Sequence, residues 1–176
     1  MADQALEDAR IAKARRDLTA QLSQAARRLR VFESEQQWSQ ALADVTDGFC
    51  RRAALFAVNG QYLELRATRN LETRLIERVL IGAAPAFASA VETKDTVVAV
   101  RTRGELSEPV ANVVGEDPDQ RFYLFPLIVR DRVAAVLYAD TEVETSALDL
   151  IATCGAAVLE GLGRDRQAAN LHSIQP

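Results

Sequence analysis

Three observations predict an α+β domain built on one central antiparallel sheet: the order of the elements, two hairpin signatures, and a strand pair that is apolar on both faces. Helix-forming composition fills both ends of the 176-residue chain, and the strand-like segments lie between them. Five or six strands are expected, with the terminal helices on one face of the sheet and short capping helices and loops on the other.

From Ala2 to Arg52 there is no proline, Gly48 is the only glycine, and Ala, Leu, Arg, Gln and Glu dominate, which is helix composition over more than an ordinary helix length. Ile11, Leu18, Leu22, Ala25, Leu29 and Phe32 recur at steps of seven, four, three, four and three, the spacing of an a/d seam, with Arg15 interrupting it. The flanking charges are mixed in sign, as on a solvated helix. Trp38, Leu42, Val45 and Phe49 continue the pattern, but Trp38 follows Phe32 by six residues where the seam calls for seven. One residue of slip turns the stripe by roughly 100°. Residues near 5 to 34 are therefore expected to pair with another helix, and residues near 35 to 51 to lie on the body of the domain.

In "RAALFAVNGQYLELRATRNL" two apolar runs flank Asn59-Gly60, a tight hairpin signal. Helical pattern resumes from Glu72 to Asp95, broken at Gly82 and Pro85, with a second helix starting at "PAFASAVETKD". "TVVAVR" is β-branched and reads as a third strand. The connector after Arg101 carries Pro109, Gly115 and Pro118, a helical turn around Leu106 to Val114, and the acids Glu116, Asp117 and Asp119. Arg121 to Asp140 then forms a hairpin turning at Arg130-Asp131. The last helix has Ser146 as expected N-cap, with Asp149 three positions on, and small residues Ala152, Gly155, Ala156 and Ala157 that permit close packing.

Surface strands alternate polar and apolar residues, and "YLFPLIV" and "VAAVLYAD" do not. The missing alternation implies two covered faces and a central place in the sheet. Pro126 then requires a bulge or a position where its missing N–H is not needed. Parity along the second strand puts Tyr138 on the capping face and Ala135 and Leu137 on the opposite one.

The net charge of −4 and the absence of a basic patch speak against nucleic acid and against an anionic membrane surface. No uninterrupted apolar run approaches the roughly 20 residues of a membrane span, and the N-terminus lacks the apolar segment of a secretory signal, so a cytoplasmic protein is expected. Cys50 and Cys154 form no CxxC unit and are expected to be small core residues, and a lone His172 gives metal or triad chemistry little to work with.

The hairpin "YLFPLIVRDRVAAVLYAD" resembles the hairpin that closes GAF domains, with Ala135 where that family commonly has glycine. "ALFAVNGQYLEL" is similar to the family's first hairpin, and "PAFASAVETKDTVVAV" to the segment leading into its third strand; the similarity spans about Trp38 to Leu162. The resemblance implies a small-molecule sensory or regulatory domain, a pocket between the sheet and the capping connectors, and dimerisation through flanking helices. Lys94-Asp95 is the nearest approach to the NKFDE constellation of cyclic-nucleotide-binding members and lacks its context. Neither cysteine lies in the connectors where bilin-attaching or methionine-sulfoxide-reducing cysteines stand in the family. Cyclic nucleotides, bilins and catalysis are accordingly not expected, and the domain is read as non-enzymatic.

The expected organisation is a dimerisation helix over residues 1–34, a GAF-like domain over 35–166 and a frayed tail over 167–176. The expected partners are a second copy bound through the N-terminal helix with the C-terminal helix as a further contact, an unidentified small molecule, and an output or partner protein; with no output domain after the last helix, the sequence is read either as a piece of a larger regulator or as a stand-alone module acting on a partner, and it does not decide between them. Phe87, Arg101, Arg103, Tyr123, Phe125 and Tyr138 are the candidate ligand-binding residues, apolar walls with a few charged groups. The sequence names no cofactor or ligand. Two other readings stand beside the sensor: a dimerisation scaffold whose pocket is filled by its own side chains, and a thiol enzyme using Cys50 and Cys154.

Overall fold

The computed structural model describes residues 2–30, 32–72 and 78–172. It resolves the slip in the N-terminal seam as a break between two helices: α1 (Ala2–Arg28) ends, and α2 (Glu35–Asp44) starts afresh. Ser34 is extended and caps α2, its Oγ accepting the Gln37 N–H at 3.2 Å. The second half of the seam packs within the chain, with Ala25 and Leu29 buried in the core beside Trp38 and Leu42.

Among the described residues, six strands form one antiparallel sheet in the order β3-β2-β1-β6-β5-β4. They are β1 (Arg52–Asn59), β2 (Tyr62–Arg69), β3 (Val79–Leu80), β4 (Val97–Arg101), β5 (Asp117–Val129) and β6 (Arg132–Asp140). The first hairpin closes on Gly60 and Gln61, with Gly60 at φ 60° supplying the positive torsion and Asn59 still paired to Tyr62. The second turns at Arg130 and Asp131, both left-handed, as expected.

Several expected boundaries move. Within the helical stretch expected from Glu72 to Asp95, residues 73–77 lie outside the described residues, and Val79–Leu80 is the short strand β3, followed by a 3-10 turn at Ile81–Ala83. Among the described residues there, the α-helix is α3 (Pro85–Thr93). The connector after β4 folds into α4 (Arg103–Leu106) and α5 (Glu108–Val114), and β5 starts at Asp117, so part of the expected loop joins the sheet. The last helix, α6 (Thr145–His172), begins one residue ahead of Ser146, which therefore sits in the first turn and is not the N-cap. Residues 173–176 of the expected tail lie outside the described residues.

Pro126 is paired with Val136 without a bulge at that point. It is tolerated because β4 pairs with β5 as far as Leu124, which, among the described residues, leaves β5 no second strand neighbour at the proline. The irregularity falls next to it, where Leu127 faces Ala135 and Ile128 faces Val133, making Ala134 the extra residue.

Both faces of the sheet are covered. On one, the end of α1, α2 and α6 pack Ala25, Leu42, Leu148 and Ile151, with Phe49 from the turn after α2, onto Leu55 and Leu137. On the other, α3, α4 and α5 pack Phe87, Leu106, Val110 and Val114 onto Phe56 and Val136. α6 approaches α2 closely at Gly155, where an added Cβ would stand 2.8 Å from Leu42 Cδ1. Its segment Thr145–Arg164 has the length and apolar composition of a membrane span although it is not an uninterrupted apolar run; a third of it is buried against the rest of the fold.

Candidate functional site

Four strand ends meet at one end of the sheet: the start of β1 and of β5, and the end of β4 and of β6. Antiparallel register sets Arg52 and Phe122 on either side of Asp140, and Arg101 opposite Asp117. The parity that turns Tyr138 toward the capping helices turns Asp140 the same way. A carboxylate is thereby placed under the capping layer with no exposure to solvent, 0%.

Asp140 survives there because it is surrounded by donors. Arg52 grips it with two bonds, Nε to Oδ1 at 2.7 Å and Nη2 to Oδ2 at 2.6 Å. Arg101 Nη1 donates to Oδ2 at 3.1 Å, the Tyr138 hydroxyl donates to the same oxygen, and Thr141 Oγ1 donates to Oδ1 at 2.9 Å. Burial pushes the Asp140 carboxyl up, but the hydrogen bonds from Arg52 and Tyr138 and the Arg52 charge outweigh it and hold the group below the usual carboxylate range. Burial, reinforced by the Asp140 charge, drives the Tyr138 phenol well above its ordinary value and keeps it a donor. Arg101 also reaches Asp117, at 3.5 Å.

Among the described residues, two buried side-chain polar atoms in the fold have no hydrogen-bond partner, Arg101 Nε and Ser107 Oγ. Both belong to residues more than nine-tenths buried, on the β4 end and between α4 and α5. Ser107 also holds φ 73°, ψ 160°, a region that a side chain other than glycine rarely adopts. Spare buried donors are uncommon and costly in folded proteins.

The sequence-predicted residues divide. Tyr138, Arg101 and Phe87 share the capping layer: Phe87 is fully buried edge-on to Phe56, ring centres 5.1 Å apart, and Tyr138 stacks on Phe122 at 5.5 Å. Arg103 is half exposed outside that layer, where its Nε pairs with Glu116 at 2.7 Å and ties the start of α4 to the start of β5. Tyr123 and Phe125 face the other way and pack in the core beneath α2 and α6, because β5 alternates and Phe122 and Leu124 take the capping side. Those two are thus separated from the other candidates by the sheet itself. Arg52 and Asp140 were not anticipated. A charge at each end of otherwise apolar strands was the available signal, and only the β1–β6 register shows that they meet.

The space beneath the capping helices is occupied by side chains: Phe87, Phe122, Leu106, Val110 and Tyr138 are all fully buried. An open cleft of about 330 Å³ lies instead on the opposite face, between the start of α2 and α6, over Leu55, Ala57 and the two bulged residues Arg66 and Ala134. Cys50 is buried at the foot of the sheet, its thiol donating to the Thr46 carbonyl at 3.8 Å, and burial pushes that thiol up, which leaves little thiolate at neutral pH.

No family model and no curated protein matches this sequence. Solved structures do match. The GAF domain of an Acinetobacter phosphoenolpyruvate-protein phosphotransferase superposes with a TM-score of 0.63 at 14% identity, covering 90% of this chain and 96% of that one. A putative GAF sensor protein from Burkholderia vietnamiensis gives 0.62 at 15% identity, over 85% and 91%. The type II free methionine-R-sulfoxide reductase of Thermoplasma acidophilum gives 0.54 at 13% identity, over 72% and 92%. The chain has a GAF-like fold, divergent in sequence. The reductase corrects the expectation of a non-enzymatic domain: this fold also carries catalysis, so the fold gives no ground for excluding it.

Proposed function

We propose that this GAF-like chain is a sensory or regulatory module that recognises a small polar molecule at the Arg101–Tyr138–Asp140 cluster and relays its occupancy to a second copy through α1 and α6. The observation that carries the input site is the pair of buried polar atoms without partners, Arg101 Nε and Ser107 Oγ, beneath two short helices joined at a strained residue. An acceptor on the molecule answers the Nε donor, and the Ser107 hydroxyl is open to a donor or an acceptor. The relay rests on α1: its outer half exposes Leu6, Ile11 and Leu18, while Ala25 and Leu29 are seated on the body. The exposed Leu150 of α6 and the shallow groove between Leu22, Ala26 and Cys154 continue that apolar surface.

Native mass spectrometry of the purified full chain tests the input site. The expected result is one small polar molecule per chain, lost in Arg101→Lys, which keeps the charge beside Asp140 and removes Nε. A chain of bare mass whose Arg101→Lys variant melts like the parent would sink the sensor reading. A second reading, a regulatory scaffold with a closed capping layer, is favoured by the complete burial of Phe87, Phe122 and Tyr138, and that outcome would leave it standing.

A further inference from the structure

The two faces of the sheet differ in how completely they are filled. Beneath the capping helices side chains occupy the space, whereas on the other face a cleft of about 330 Å³ stays open between the start of α2 and α6. Protein interiors are close-packed, so a hollow of that size beside a well-packed core has a cause. The cause is local. Leu55 of β1 pairs with Leu137 of β6, and two residues on, Ala57 pairs with Ala135 on the same face. Methyl groups stand there where the neighbouring pair carries isobutyl groups, and Trp38 and Leu159 form the walls. Two bulges border this floor, one from each side: Arg66 is the extra residue of β2 and Ala134 that of β6, the two strands that flank β1. A bulge gives up ladder bonds and re-aims a residue, and bulges are over-represented next to functional sites.

The lining selects a class of ligand. Small-molecule sites are clefts of about 300–1,000 Å³ with apolar walls and a few placed polar groups, and this one lies at the small end of that range. Of the charged residues at its mouth, Arg66 belongs to the sheet itself, next to the alanine floor, whereas Glu35 stands on the exposed first turn of α2. Arg66 is half exposed and gives Glu64 one bond, from Nη2. A guanidinium has five N–H groups, so a carboxylate in the cleft joins that pair without displacing it, and Glu64 is also held by Arg78 Nε at 2.9 Å. The geometry points to a second ligand site, on the opposite face of the sheet from the Arg101–Tyr138–Asp140 cluster and independent of it. It takes a small monocarboxylate whose short aliphatic or single-ring body lies on Ala57, Ala134 and Ala135 and whose charge meets Arg66. Trp38 ties α2 to α6 through its indole N–H, which donates to the Gly155 carbonyl at 3.2 Å. An occupant beside Trp38 therefore bears on the α2–α6 joint, directly after the break between α1 and α2.

Trp38 is the chain's one tryptophan, so its emission and its indole N–H resonance report on the cleft. Titration of the full chain with hexanoate and with benzoate is expected to move both signals saturably, with hexanol about tenfold weaker than hexanoate. Arg66→Gln, at an exposed position, is expected to bring hexanoate down to the level of hexanol and to leave hexanol unchanged. Ala134→Leu, which fills the hollow from its half-buried bulge, is expected to abolish both, with thermal melts to confirm folding. Arg101→Lys is expected to leave hexanoate binding as it is, which separates this site from the one on the capping face. No saturable shift with either carboxylate, hexanoate binding indifferent to Arg66→Gln or to Ala134→Leu, or hexylamine binding as tightly as hexanoate overturns the assignment.

Discussion

The two faces of the sheet are covered by different means. The capping face carries the large aromatic side chains Phe56, Phe87, Phe122 and Tyr138 and the buried ion cluster at its end, beneath helices of nine residues or fewer. The opposite face brings longer helices close through small residues, Ala43, Ala53, Ala135, Ala139, Ala152 and Gly155, and leaves an open cleft at one corner. Short helices bury little area of their own, so aromatic bulk and specific polar bonds must hold them. Long helices spread their contacts, and close approach serves them better. Aromatic bulk and the buried polar cluster thus lie on one face and close backbone packing on the other.

The largest effect that sharpens the contrast is expected from Asp140→Ala. It leaves Arg52, Arg101 and the Tyr138 hydroxyl without their shared acceptor, and removing one partner from a buried ionic network costs about 3–5 kcal/mol. Denaturant unfolding measures it, and a loss below about 1 kcal/mol would mean that the cluster is solvated and contributes little, as surface ion pairs do. On the opposite face Gly155→Ala presses a methyl group against Leu42, itself fully buried. Overpacking of that kind costs about 1–3 kcal/mol, offset by about 1 kcal/mol of helix propensity, so a net loss of about 1 kcal/mol is expected by the same measurement. A stabilised variant would break the close-packing account of α2 and α6.

The smallest effect is in the pH profile, and the two faces divide it. Asp140, held below the ordinary carboxylate range, contributes stability that is fully present above its unfolded value of about 4 and is lost as pH falls through its folded one. Cys50, in the helix-side core, is pushed up by burial, so its contribution is fully present below the unfolded thiol value of about 8.5 and is lost as pH rises through the folded one. Melting temperature against pH is expected to show an acid limb that flattens in Asp140→Asn and an alkaline limb that shrinks in Cys50→Ala. An alkaline limb identical in parent and Cys50→Ala would assign it to the Tyr138 phenol, on the capping face, and erase the division.

Much of this architecture was legible without coordinates, because its signals are local. The doubly apolar hairpin located β5 and β6 in the interior of the sheet, and parity along β6 oriented Tyr138 correctly, since alternation is a property of a single strand. The six-residue step from Phe32 to Trp38 marked the α1–α2 break, although the sequence pattern alone presented it as a turned stripe. Parity along β6 does not carry through the turn and past Pro126 into β5, so only the register between the two strands shows that Tyr123 and Phe125 face away from the capping layer.

By itself, then, the sequence determined the terminal helices and the two hairpins, the antiparallel sheet with two covered faces and the resemblance to GAF domains, all of which follow from spacing and hydrophobic period along a continuous chain. Tertiary structure alone decided that Arg52, Arg101, Tyr138 and Asp140 converge, that the capping layer is filled by its own side chains, and that β4 is left at an edge. Those outcomes depend on strand order and register, which join residues 88 and 39 positions apart, and no local pattern encodes that pairing.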